Sequence, residues 1–150
     1  MPASKLVNNE SALETIVYTA DYKHIAANAT VSNQVTIGNV PAGGAVAFVY
    51  VYEKTALAGA SDITLDVGTT ANDPDEFIDN LDVDNATPAC NTGDACVQGA
   101  GTTTWEAGWL PVGITATATP ILAEWNGTTA SLTAGEVVVV VGLINPGKFL

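Results

Sequence analysis

The chain has 150 residues, 47% of them hydrophobic, and its 16 acidic residues stand against four lysines and no arginine. A formal net charge of −12 leaves it without the basic side chains from which nucleic-acid binding draws most of its affinity, and disfavours attachment to an anionic membrane for the same reason. What is left is a self-repelling surface on a chain long enough to bury one core.

Residues 1–12, MPASKLVNNESA, read as a polar arm ahead of one domain over 13–150. They hold no basic segment leading into an apolar stretch, so no secretory signal or lipidation motif is expected. Strand candidates then follow one another. ETIVYTA and NQVTIGNV come first, each bounded by Asn, Asp or Gly. The turn Pro41-Ala42-Gly43-Gly44 leads into AVAFVYVYE, with Phe48, Tyr50 and Tyr52 on one face and Val49 and Val51 on the other. In DITLDVG, Ile63, Leu65 and Val67 point in while Asp62, Thr64 and Asp66 point out. TTTWEAGWL, GITATAT, PILAEWN and GEVVVVVGLI complete the series. Eight short strands predict an all-β antiparallel sandwich or barrel. One short helical turn is expected near 73–80, where Asp73 precedes Pro74 and Glu76 completes a capping box.

The valine run, Val137 to Val141, is too short to cross a membrane as a helix and too β-branched to favour one. As a strand it is apolar on both faces. One face belongs to the core, so protein must cover the other.

Little chemistry is legible. Six carboxylates crowd DPDEFIDNLDVDN, and Asp82 and Asp84 are the candidate metal ligands, since hard cations take several carboxylate oxygens. The glycine and late glutamate of an EF-hand loop are missing, and a solvated acidic loop accounts for the same residues. No spacing marks two acids as a glycosidase pair. Cys90 and Cys96 cannot build a four-ligand zinc site alone; a disulfide and two free thiols both fit their spacing. His24, the one histidine, has no nucleophile motif to serve and reads as a structural or surface residue. Trp105, Trp109 and Trp125 suit either a sugar-stacking platform or a core or interface. Asn9, Asn28, Asn85 and Asn126 each begin an N-x-Ser/Thr triplet, as chance produces in a chain rich in Asn and Thr. No enzyme and no cofactor is read from this inventory.

Over roughly residues 35 to 144, the succession VTIGNVPAGGAVAFVYVYEKTALAGASDITLDVGTTANDPDEFID and the distal TATPILAEWNGTTASLTAGEVVVVVGLI resemble small virion proteins of tailed bacteriophages. The likeness lies in a G-x-x-P-A-G turn, an x-L-x-V-G strand, a D-P-D-x-F turn and a closing T-A-G-x-V-x-V strand. It implies a jelly-roll-like β-sandwich, usually oligomeric, that decorates or cements the capsid or contributes to a head fibre or tail-associated part. The partners implied are the major capsid protein and the chain itself, as a trimer, on the outer capsid surface of a virion, after synthesis in the host cytoplasm. An arm lying along the shell would offer Lys5 and Leu6 as capsid contacts. The alternative is a glycan- or receptor-binding module of a head or tail fibre, because sandwiches serve as lectins equally well.

Overall fold

The computed structural model describes residues 13–28, 33–69, 75–83, 95–97 and 117–145. In chain order the elements are β1 (Leu13–Asp21), α1 (Tyr22–Asn28), β2 (Gln34–Val40), β3 (Ala45–Ala58), β4 (Thr64–Gly68), β5 (Ile78–Asp82), β6 (Ala95–Val97), β7 (Thr119–Asn126) and β8 (Ala134–Ile144), with a 3₁₀ turn at Thr129–Ser131. All described strand pairings are antiparallel.

The pairings are nested: β1 lies on β8, β2 on β7, β3 on β6 and β4 on β5. Two further contacts, β3 with β8 and β4 with β7, close the strands into two four-stranded sheets ordered β1-β8-β3-β6 and β2-β7-β4-β5. This nesting of strand pairs, rolled into two facing sheets, is a jelly roll. The predicted sandwich is therefore the fold.

Local sequence explains the corners. The predicted Pro41–Gly44 turn closes with the Gly44 N–H donating to the Pro41 carbonyl at 2.8 Å, and Gly43 supplies the φ of 74° that its third position requires. Asp21 ends β1 and starts α1, its Oδ1 accepting from the His24 N–H at 2.9 Å as an N-cap does. The short helix drops Ile25, fully buried, into the core.

Alternation fills the space between the sheets. Ile16, Val141 and Val49 share one inward row, and Tyr18, Val139 and Val51 the next. From the facing sheet, Leu65 opposes Trp125 and Val67 opposes Ala123. Val137, Val139, Val141 and Trp125 are each 0% exposed.

The helical turn expected near 73–80 is corrected. Among its described residues, 75–77 form a turn and bends, and Ile78–Asp82 is strand β5. The ladder to β4 decides the matter: the Phe77 N–H donates to the Val67 carbonyl at 2.8 Å and the Val83 N–H to the Ile63 carbonyl at 3.0 Å. Extended backbone lets Phe77, Ile78, Leu81 and Val83 all reach the core, which outweighs the local capping pattern.

Candidate interaction surface

The two sheets present unlike outer faces. On β1-β8-β3-β6 the outward rows run Val17–Val140–Tyr50 and Thr19–Val138–Tyr52, and the next row sets Thr15 and Phe48 on either side of Gly142. A Cβ on Gly142 would lie 2.2 Å from the Phe48 ring, so the missing side chain is what lets that ring lie across β8. Phe48 and Tyr50 then pack with ring centroids 5.0 Å apart, a tilted aromatic pair.

Among the described residues, the exposed large hydrophobic side chains are Leu13, Val17, Tyr50 and Ile144, and all four belong to this sheet. Val17 is 63% exposed. The second face of the valine strand is the middle of this patch. At one end of the patch Lys54 Nζ meets Glu136 Oε1 at 2.8 Å. Nearby, His24 Nδ1 meets Asp21 Oδ1 at 2.8 Å. The His24 backbone N–H is the main cause holding the Asp21 carboxyl below its ordinary value.

The outer face of β2-β7-β4-β5 carries a polar row beside a row with Leu122 between Thr36 and Gly68. Gln34, Glu124 and Asp66 form one cross-strand row, with the Gln34 side-chain amide donating to Glu124 at 2.5 Å. Asp66 is 6% exposed although it points outward. Its carboxylate accepts from the Asn80 backbone N–H at 2.5 Å and from the Asn126 side-chain amide at 2.7 Å. Burial raises the Asp66 carboxyl above its ordinary value; the two hydrogen bonds oppose that shift, and Glu124 and Asp79 add to it. Sequence reading placed Asp66 outward and missed this network, whose signal was the chain-distant Asn126.

Other sequence-derived sites fare differently. Asp82 lies half-buried on β5 opposite Thr64, while Asp84 falls outside the described residues. Among the described residues no cluster of three or more His, Cys, Asp or Glu side chains is arranged to hold a metal. Cys96 pairs through its backbone with Val51, and Cys90 lies outside the described residues, as do Lys5, Leu6, Trp105 and Trp109. His24 sits in α1 with its side chain exposed. Trp125 is wholly buried and cannot serve as a sugar platform. Its indole N–H makes no hydrogen bond of ordinary geometry, and the Trp125 side chain acts on the Tyr18 phenol, opposing the effect of burial there. Burial is the main cause raising the Tyr18 phenol above its ordinary value.

Among the described residues, fold and surface define a jelly roll of eight strands, with exposed apolar side chains on one outer face and a hydrogen-bonded polar row on the other. No protein-family model and no curated protein matches the sequence. Solved structures do match in fold. A chain of the cyanophage Pam1 capsid asymmetric unit superposes with a TM-score of 0.60 at 19% identity, covering 97% of this chain and 100% of that one. A chain of the acidic stable capsid structure of Helicobacter pylori bacteriophage KHP30 superposes with a TM-score of 0.59 at 16% identity, covering 91% and 90%.

Proposed function

We propose that this protein is a structural component of a tailed-phage particle that decorates and cements the capsid. It works through contacts with its own copies, as a trimer, and with the major capsid protein on the outer surface of the shell. The observation that carries this reading is the likeness of fold: the chain matches a chain of a phage capsid structure over 97% of its length. The apolar outer face supplies a means of action, since burial of such surface stabilises contacts by about 25 cal/mol per Å² before the entropic cost of association. The glycan-binding alternative loses Trp125 from its platform.

The arm carrying Lys5 and Leu6 is the proposed shell contact beyond the jelly roll. Twelve residues reach about 40 Å when extended, enough to cross a neighbouring subunit. The test is heat-driven DNA release from purified particles with the protein, without it, and with residues 1–12 deleted. Earlier release from both altered particles is expected. Equal retention of the genome in all three would overturn the cementing role.

A further inference from the structure

The bend that follows β7 is built on Asn126-Gly127, the one Asn-Gly pair in the sequence, and each residue stands there for its own structural reason. Gly127 takes φ 94°, and a Cβ on it would lie 2.2 Å from the Asp62 carbonyl oxygen, so the position calls for glycine. Asn126 ends the strand opposite Thr64 and donates from Nδ2 to Asp66 Oδ2 at 2.7 Å. Asp66 is buried and needs that donor. Two separate demands of the fold thus set a short side-chain amide next to a backbone nitrogen that no side chain screens.

We propose that Asn126 is a self-modification site, at which the Gly127 backbone nitrogen displaces the Asn126 side-chain amide and leaves a carboxylate facing Asp66. The nitrogen attacks Asn126 Cγ, a new Cγ–N bond closes a five-membered succinimide, and the Cγ–Nδ2 bond breaks. Nδ2 departs as ammonia, taking up the proton that the Gly127 nitrogen gives up. Water then opens the ring at either carbonyl, to aspartate or to isoaspartate, in which the main chain runs through the side-chain carbon. The sum converts asparagine and water to aspartic acid and ammonia, with no oxidant or reductant.

The surroundings admit the reaction and also brake it. Gly127 is exposed, so water reaches the ring, and among the described residues its N–H donates to no carbonyl. Asn33, Asn39 and Asn80 instead precede Gln34, Val40 and Leu81, whose side chains crowd the attacking nitrogen. The brake is Asp66. Its hydrogen bond holds the Asn126 amide on the outer face of the sheet, and ring closure must take the amide out of that hold.

The product does not suit its setting. A carboxylate at position 126 cannot donate to Asp66 and repels it. Glu124 from β7 and Asp79 and Asp82 from β5 add like charge, Asp82 lying across Thr64 in the row of Asn126, and the four strands of this sheet carry no lysine. Two facing carboxylates hold one proton between them at a pH where each alone would lose it. Modification therefore loosens the contact of Asp66 with Asn80 at neutral pH and spares it in acid.

Peptide mapping by mass spectrometry tests the site, on the full chain kept warm in mildly alkaline buffer beside a synthetic peptide of residues 122–129. Aspartate and isoaspartate should accumulate at position 126 ahead of Asn33, Asn39 and Asn80, and more slowly than in the peptide. Asp66→Ala, checked for folding by circular dichroism, should convert about tenfold faster or more, since it removes a hydrogen bond to a charged group. Asn126→Gln, whose amide would have to close a larger ring, should stay intact. Asn126→Asp reproduces one product directly and does not depend on how Asp66→Ala folds; it should melt below wild type at neutral pH, with the gap narrowing as pH falls. An Asn126 that remains an amide while the peptide converts fully overturns the site. A folded Asp66→Ala chain that converts no faster overturns the brake, and an Asn126→Asp chain with the melting profile of wild type overturns the facing carboxylates.

Discussion

The Asp66 carboxylate takes the backbone N–H of Asn80 at 2.5 Å, across the β4–β5 pair. The contact exists because β5 carries one extra residue. Leu65 pairs with Leu81 and Val67 with Ile78, so two steps along β4 match three along β5. Asn80, at φ 49°, absorbs the difference as a bulge and lets both Ile78 and Leu81 face the core. A bulge leaves an N–H without a ladder partner, and Asp66 supplies the acceptor.

Asp66→Ala should therefore cost about 1–3 kcal/mol, the usual penalty for stranding a buried polar group. Asp66→Asn retains an acceptor oxygen for Asn80, and Asn126 can turn its own amide oxygen toward the new NH₂. Urea denaturation is expected to rank wild type and Asp66→Asn well above Asp66→Ala. Equal losses in both variants would show that the carboxylate charge, not the acceptor, is what the bulge requires.

Asp66 also makes stability depend on pH. Its folded-state pKa is raised, chiefly by burial, above the ordinary 3.8 of an unfolded chain. The folded protein thus holds this proton to higher pH than the unfolded one does. The resulting stability is fully present below the unfolded value and is lost as pH rises through the folded one. Acidification also relieves self-repulsion, but it does so in wild type and Asp66→Asn alike. Melting temperatures measured from neutral pH down to about 4 should rise more steeply in wild type than in Asp66→Asn. Parallel profiles would remove Asp66 from the balance. Asp21 works in the opposite sense: its pKa is lowered, so its helix-capping contribution persists above 3.8 and is lost as pH falls through the folded value.

Gly127 meets a backbone limit. It follows β7 at φ 94°, and a Cβ there would lie 2.2 Å from the Asp62 carbonyl oxygen. Backbone cannot swing aside as the Phe48 ring can, and the positive φ adds strain for any L side chain. Gly127→Ala is expected to destabilise by more than the roughly 1 kcal/mol of a typical substitution, whereas Gly142→Ala should cost less because the half-exposed Phe48 can rotate. Thermal melts of the two variants check the ranking.

Period-two alternation made most of the jelly roll legible. ETIVYTA, AVAFVYVYE, PILAEWN and GEVVVVVGLI lie within β1, β3, β7 and β8, and NQVTIGNV and DITLDVG contain β2 and β4, while TTTWEAGWL and most of GITATAT lie outside the described residues. β5 was hidden because Ile78 and Leu81 are three apart, a helical spacing that only the Asn80 bulge converts into a strand's inward face. α1 was hidden for the complementary reason: its seven residues are too few to show a period, and Asp21 reads equally as the end of a strand. The candidate surface was half legible. The two-faced valine run and the Phe48, Tyr50 and Tyr52 face were plain in the sequence, but Val17 sits in the unbroken apolar run Ile16-Val17-Tyr18, where only the pairing with Val140 fixes which residue points out.

The valine run itself offers the sharpest comparison, because neighbouring residues of identical chemistry face different surroundings. Val139 is 0% exposed, in a row with Tyr18 and Val51, whereas Val140 is half-buried in the outward row of Val17 and Tyr50. Threonine has nearly the shape and strand preference of valine, so replacing each in turn changes little except for one hydroxyl. In Val139→Thr that hydroxyl enters an apolar interior, and a loss of about 1–3 kcal/mol is expected. In Val140→Thr the hydroxyl reaches solvent in a single chain, and stability should change by no more than about 0.5 kcal/mol. The same substitution should nonetheless weaken self-association, because it places an unpaired hydroxyl between copies. Denaturation under conditions where single chains predominate, set beside sedimentation at higher concentration, separates the two effects. Large losses of folding stability in both variants would mean that this chain's own residues already enclose both faces of the run, and that no second copy is needed to cover it.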